Sequence, residues 1–176
     1  MNIKTILALV IGLAFSATAN ANNLSLRVNR IIDQEEQQII TVDLILINHD
    51  TLSGMQIPLD LGYEKLGFRV DSVSFRGTRC EHFYEQFYRA FPEHNKVFIF
   101  IMESADPEID SAPLLPGTGK IATIYMTRVR TTETNRHTIA NTRAKDGKRD
   151  LRFHFWNNHA EDVPVTFNAS TIDLRH

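Results

Sequence analysis

The sequence TVDLILINHDTLSGMQIPLDLGYEKLGFRVDSVS, residues 41–74, alternates apolar and polar residues and contains short polar breaks. This period of two is typical of β-strands, because successive side chains of a strand point to opposite faces of the sheet. Val42, Leu44 and Leu46 are predicted to share one face, with Asp43 on the other. The turn-forming residues NHDT then separate this strand from the next alternating run. The stretch predicts a sheet and contains no arrangement of nucleophile, base or ligand.

Short runs of the same kind recur along the chain. We predict strands at residues 24–28, 38–48, 55–61, 68–75, 97–102, 120–128, 137–142 and 151–156, with one or two more within 163–174. The strand VFIFIM is apolar throughout, as expected of a strand covered on both faces. The last two of the named strands flank a turn at Lys145-Asp146-Gly147-Lys148 and are predicted to form a hairpin. About nine or ten short strands predict a single-domain, all-β sandwich.

The N-terminus has the pattern of a secretory signal peptide. Lys4 supplies a positive start, residues 6–15 an apolar core, and Ala19-Asn20-Ala21 an A-x-A cleavage signal. The apolar run is shorter than the ~20 residues that a spanning helix needs, so no stable membrane insertion is expected after cleavage. We therefore predict a signal peptide at 1–21 and one domain at 22–176, which is secreted and extracellular or periplasmic.

Charge and cysteine content exclude some classes of partner and crosslink. After cleavage, 18 basic residues remain against 21 acidic ones, a net charge of about −3, and the basic residues near Lys145 are interrupted by Asp146 and Asp150. A solvated hairpin tip is therefore preferred to a nucleic-acid patch. The sole cysteine, Cys80, cannot close an intramolecular disulfide. A buried apolar role is preferred to an intermolecular bridge or a reactive thiol.

Residues 80–91, CEHFYEQFYRAF, are the candidate binding segment. Their aromatic residues recur every four positions, which fits a short helix, and they also alternate, which fits a strand. On a strand, Tyr84 and Tyr88 are predicted to face outward and to contact a partner, because each combines an apolar ring with a polar hydroxyl. Phe83, Phe87 and Phe91 would then face the core.

Catalytic and metal-binding signatures are missing from the sequence. The chain has no G-x-S-x-G elbow, H-E-x-x-H motif, phosphate loop or Cys-x-x-Cys pair. Glu103, Asp106 and Asp110 share one loop and are weak candidates for a calcium ion. The same carboxylates are the candidate catalytic groups of an alternative function, a secreted hydrolase of the glycoside hydrolase type. That alternative is disfavoured, because glycosidases need two carboxyl groups that flank the scissile bond.

Three runs of the sequence resemble bacterial cohesin-like domains, which share a superfamily with several carbohydrate-binding modules. They are DLILINHDTLSGMQIPLDLGYEKLGFRVDSVSFRGTR, KVFIFIMES and LLPGTGKIATIYMTR. The matching positions lie mainly within residues 24–128, and they include Asn48, Gly54, Gln56, Leu66 to Val73, Gly117, Gly119, Ile121 and Ala122. The resemblance implies a jelly-roll-like sandwich whose exposed sheet face binds an extracellular protein or a polysaccharide, without catalysis and without a required cofactor.

Overall fold

The computed structural model describes residues 21–34, 36–61, 68–92, 96–104, 106, 108–109, 111–129, 136–141, 144–146, 149–151, 153–168 and 170–173. Residues 1–20, which hold most of the predicted signal peptide, lie outside this range. No helix in the described residues is long and apolar enough to cross a membrane. The strands are β1 (Asn22–Asp33), β2 (Gln37–Asn48), β3 (Gly54–Asp60), β4 (Phe68–Ser74), β5 (Glu85–Phe91), β6 (Lys96–Met102), β7 (Gly117–Val129), β8 (Arg136–Asn141), β9 (Ala144–Asp146), β10 (Arg149–Leu151), β11 (His154–Trp156), β12 (Val165–Asn168) and β13 (Ser170–Asp173).

Two sheets form the body of the protein. The first has the strand order β12-β1-β2-β7-β4, and the second has the order β13-β8-β3-β6-β5. β11 also belongs to the second sheet, because it pairs with one end of β3 while β8 pairs with the other end. All the strand pairs are antiparallel except β1 with β12. The predicted all-β sandwich of jelly-roll type is confirmed.

The core consists of aliphatic side chains from the facing sides of the two sheets. On β2, Val42, Leu44 and Leu46 have no exposed surface, as their alternation predicts. On β3, Ile57 and Leu59 are equally buried. Each such side chain stabilises the folded state by roughly 1.5–3 kcal/mol through removal of its apolar surface from water. Burial along these strands decides which face of each sheet is the inner one.

A β-bulge in β7 breaks the alternation predicted for residues 120–128. Leu44 pairs with Ala122 whereas Ile45 pairs with Lys120, so Ile121 is the extra residue. Ile121 and Ala122 are both fully buried although they are consecutive. The prediction that these two side chains face opposite sides is therefore wrong, because a bulge inserts one residue and resets the register.

The predicted hairpin around Lys145 is wrong in its pairing. β8 pairs with β13 and with the end of β3, and β11 pairs with the other end of β3. The hairpin itself is small and joins β9 to β10, whereas Gly147 and Lys148 lie outside the described residues. β8 and β11 pair with opposite ends of the same strand, β3, so they follow one another along it and do not pair with each other.

Arg79 explains several positions that carried the family resemblance. Its Nη1 donates to the Asn48 side-chain oxygen at 2.8 Å, and its Nη2 donates to the Leu115 carbonyl at 2.6 Å. A Cβ atom at Gly119 would lie 2.8 Å from the Arg79 side chain, and one at Gly117 would lie 3.1 Å away. The two glycines therefore leave room for the arginine that joins the end of β2 to the start of β7.

Cys80 is fully buried, which confirms its predicted role as an apolar core residue. Burial raises the pKa of its thiol from 9.0 to about 12, against a smaller opposite effect of Arg79. A thiol with this pKa stays protonated at neutral pH, so it is a poor nucleophile. The burial also places the sulfur out of reach of a second chain.

The raised thiol pKa predicts a stability loss at high pH. The unfolded thiol releases its proton near 9.0 and the folded thiol near about 12, so above pH 9 the unfolded state holds fewer protons. This contribution to the free energy of unfolding is complete below pH 9 and is lost as the pH rises towards 12. Urea unfolding at several pH values measures it. Cys80→Ala is the control and is expected to lose less stability with pH; equal losses would contradict the assignment.

Candidate functional site

The outer face of the second sheet carries a row of aromatic side chains. Phe87 on β5 is paired with Phe100 on β6, which is paired with Gln56 on β3, and Gln56 is paired with His154 on β11. Paired residues point to the same side of a sheet, and the residues between them face the core. We call the group Phe87, Phe98, Phe100, Trp156 and His154 the aromatic strip.

The rings of the aromatic strip contact one another. Phe87 stacks on Phe100 with centroids 4.9 Å apart and planes at 25°. Phe100 lies 5.9 Å from Trp156, which lies 5.2 Å from His154. Phe98 lies within 6.2 Å of Phe87 and 6.5 Å of Phe100. Because each aromatic pair contributes roughly 0.5–1.5 kcal/mol, the strip is preassembled on the sheet.

Part of this surface is exposed to solvent. Phe87 is 48% exposed. Phe98 is buried by its neighbours, whereas Phe100 and Trp156 are partly exposed. Neighbouring exposed aromatic residues on one face are typical of a recognition surface, whereas single exposed apolar residues are ordinary.

Gly54 allows Trp156 to reach the other rings. The two residues are paired across β3 and β11, and a Cβ atom at Gly54 would lie only 2.0 Å from the Trp156 ring. The indole therefore lies across the glycine backbone and approaches Phe100. An aromatic side chain that covers a strand glycine also protects that weak point of the sheet. Gly54 is one of the positions that carried the family resemblance, and its role is to seat this tryptophan.

Asp162 contacts the end of the aromatic strip that His154 and Trp156 form. Its Oδ1 lies 2.5 Å from His154 Nε2, and its backbone forms an isolated bridge with Trp156. These two contacts join the strip to the segment that follows β11. The imidazole is therefore oriented by a carboxylate on one side and by the indole on the other.

The segment at residues 80–91 is a strand from Glu85 to Phe91, which settles the open choice between helix and strand. The predicted faces are reversed at Phe87 and Tyr88, whereas Phe83 is buried and Tyr84 is exposed, as predicted. Phe87 lies on the outer face, whereas Tyr88 is paired with the core residue Ile99, and its hydroxyl lies 3.5 Å from the Asp71 carbonyl of β4. Both faces of this segment carry aromatic residues, so alternation alone could not decide which set faces inward. The binding roles of Tyr84 and Tyr88 stay predictions.

Two of the three candidate residues make described hydrogen bonds, and only Asp106 does so through its carboxylate. The Glu103 amide donates to the Ser53 carbonyl at 2.9 Å, and Asp106 Oδ1 accepts from the Glu108 amide at 3.0 Å. Asp110 lies outside the described residues. Within the described ranges, no three His, Cys, Asp or Glu side chains come together in a group that could hold a metal ion. Calcium binding by this loop stays a prediction.

The sequence contained a signal for the strip that our predictions did not use. In VFIFIM the aromatic residues Phe98 and Phe100 alternate with the aliphatic residues Val97, Ile99 and Ile101. The aliphatic set is fully buried in the core, and the aromatic set lies on the outer face. A strand with aliphatic residues on one face and aromatic residues on the other indicates an aromatic surface. Our prediction stated only that both faces of this strand are covered.

Comparison with known proteins identifies the fold. No family model matches the sequence, and comparison with curated proteins finds no significant match. Among solved structures, a complex of an OlpA cohesin with a dockerin from Clostridium thermocellum matches with a TM-score of 0.65 and 13% identity, over 88% of this chain and 99% of that one. The third cohesin of ScaC from Acetivibrio cellulolyticus, in complex with the ScaB dockerin, matches at 0.63 and 10%, over 88% and 99%. CaCohA2 from Clostridium acetobutylicum matches at 0.60 and 11%, over 88% and 92%.

The chain therefore has the fold of cohesin domains. The expected resemblance to cohesin-like domains is confirmed at the level of the fold, which the alignments cover almost completely. With identities of 10% to 13% in these three structures, the likeness is one of backbone architecture.

Gly54→Ala is expected to displace the Trp156 ring, because the added Cβ and the indole cannot share the same space. Trp156 is the only tryptophan of the chain, so its fluorescence reports this change directly. We expect the emission maximum to move to longer wavelength as the indole becomes more solvated. Gly77→Ala is the control: a Cβ there meets nothing within 4 Å, but φ is 67°. It should lower stability without moving the emission, and an unchanged spectrum for Gly54→Ala would contradict the packing.

Phe87→Ala is expected to cost less than about 2 kcal/mol of unfolding free energy, because the ring is half exposed and loses mainly its aromatic contacts. Phe155 on the inner face is 1% exposed, so Phe155→Ala should cost about 3–5 kcal/mol. Urea denaturation of the two variants measures the difference. Equal, large losses would mean that Phe87 is part of the core.

Proposed function

We propose that the protein is an exported, non-catalytic binding module that holds a protein partner on the aromatic strip. The observation that carries this proposal is the preassembled row of rings on an outer sheet face, in which Phe87 is half exposed. Buried aromatic anchors supply most of the binding energy in many protein interfaces. A rigid row of rings also loses little conformational entropy when a partner binds.

The ring geometry favours a protein partner over a polysaccharide. A sugar stacks on the open face of an aromatic ring, but Phe87 and Phe100 already stack on each other at 4.9 Å. The stack occupies one face of each ring, and aliphatic and aromatic side chains of a protein can pack against what remains exposed. Carbohydrate binding is therefore the second candidate and is included in the test.

Charged residues surround the strip on the same sheet face. Glu85 and Arg89 lie on either side of Phe87 along β5, and both are exposed. Arg89 is held over the Phe91 ring at 5.0 Å. An apolar centre with a polar rim of both charges is the usual anatomy of a protein interface. The partner should present an apolar patch bordered by complementary charges.

The structural neighbours indicate which partner class to test first. The OlpA and ScaC cohesins are described in complex with dockerins, so a dockerin-like protein domain is the first candidate. Another neighbour is a type II cohesin from a cellulosome. Together with the signal-peptide pattern of residues 1–21, this supports a location at the cell exterior.

Substitution within the strip tests the proposal. The wild-type protein and Phe87→Ala are compared as immobilised baits against purified dockerin domains and against the exported proteins of the producing cell. We expect Phe87→Ala to weaken the binding of an identified, purified partner about 30-fold or more, as for a hot spot of about 2 kcal/mol. Titration calorimetry measures the dissociation constants.

Tyr125→Ala is the matched control, because Tyr125 is a 39% exposed aromatic residue on the outer face of the first sheet. It should leave binding unchanged. An equal loss in both variants, or no loss in Phe87→Ala, would contradict binding at the strip. Saturable binding to soluble polysaccharides with no protein partner would support the second candidate. Turnover of chromogenic glycosides that is lost in Glu103→Gln would support the hydrolase instead.

A further inference from the structure

A cavity of about 430 Å³ opens where the chain crosses from the second sheet to the first. The Val163 amide still donates to the Phe155 carbonyl at 2.8 Å, which continues the second sheet. Two residues later, Val165 pairs with Asn22 of the first sheet. The two backbone segments diverge between these points, and the space between them is the cavity. Its volume lies within the range of roughly 300–1,000 Å³ that is typical of ligand pockets.

Polar and apolar atoms contribute about equally to the cavity surface, and its rim carries His154 and Asp162. Five residues supply the apolar surface: Phe153, Phe155, Val163, Pro164 and Val165. His154 and Asp162 supply the polar groups, and they contact each other at 2.5 Å. A ligand that fits this lining needs an apolar body and one polar end.

The charge at the rim favours a cation. The Asp162 side chain is 87% exposed, and in the described part of the chain its side-chain partner is His154. His154 contacts one carboxylate oxygen, which leaves the other oxygen directed at solvent. Asp50 accepts a hydrogen bond from the same Asn22 amide group that bonds the Pro164 carbonyl, so a second carboxylate lies near this segment. The surroundings of the rim are therefore acidic.

Trp156 lies beside this rim but does not line the cavity. Its backbone is bridged to Asp162, and its ring lies 5.2 Å from the His154 ring. The group in the lining that attracts a cation is the Asp162 carboxylate, because a carboxylate binds ammonium and guanidinium groups through charge-assisted hydrogen bonds. The side chains of arginine and lysine combine an aliphatic stem with such a terminal cation.

We propose that this cavity is a docking site for an alkyl cation, an arginine or lysine side chain whose stem lies against the apolar residues of the lining and whose charge pairs with Asp162. The proposal rests on the proposed function in one respect, since a protein partner would supply that side chain. The aromatic strip and the cavity share His154, so one partner can contact both.

Nuclear magnetic resonance titration of the isotope-labelled protein with n-butylguanidinium chloride tests the site without any partner. We expect saturable shifts of the amide resonances of Phe155, Val163 and Val165. Asp162→Asn should weaken this binding about tenfold, because it removes the paired charge and keeps the side-chain size. Glu161→Gln is the matched control: it removes a carboxylate one residue away that bonds Asn157 and does not line the cavity. It should leave the affinity within about twofold.

Three results would overturn the proposal. They are the lack of saturable shifts at these amides, equal shifts with sodium butyrate, and an equal loss of affinity in Asp162→Asn and Glu161→Gln. The second result would mean an apolar pocket without preference for a cation, and the third a general effect of negative charge. None of them depends on the aromatic strip, so failure of this site is distinguishable from failure of the proposed function.

Discussion

Burial of the aliphatic side chains of β2 and β3 is the constraint on which the rest of the structure depends. β2 lies between β1 and β7 in the first sheet, and β3 lies near the middle of the second. Leu44 and Ile57 are both without exposed surface. Because the two strands are consecutive in the chain and lie in different sheets, their burial fixes the sandwich and gives every other strand an inner and an outer side. Whether any other side chain lies inside or outside the sandwich is defined relative to these two inner faces.

The outer face of the second sheet follows from that constraint. Because side chains alternate along a strand, the burial of Ile99 and Ile101 in the core places Phe98 and Phe100 on the other side of β6. Phe87 and Trp156 then arrive beside them from β5 and β11 because of strand register. The aromatic strip therefore lies on the outer face because the residues that alternate with it form the core. Gly54 completes the strip, because it leaves room for the indole ring of Trp156.

The folded structure gives a physical reason for several residues of the cohesin-like sequence motif, because they surround Arg79. Asn48 is far in the chain from Gly117 and Gly119, but all three surround the Arg79 side chain. The glycines are needed for space, and the asparagine is needed as an acceptor. The resemblance to cohesin-like domains rested on these scaffold positions, which explains why it identified the fold and named no binding residue.

The sequence by itself determined the fold class, the position of most strands and the burial of Cys80, because alternation and turn residues act locally. It did not determine the bulge at Ile121, the division of the C-terminal part among β8 to β11, or the face on which Phe87 lies. Those depend on which strands become neighbours, and in a segment such as EQFYRAF both faces carry aromatic residues. The cavity beside Asp162 was also beyond the sequence, because it exists only where two segments diverge between sheets. Local patterns set the strands, and long-range pairing decided which residues meet.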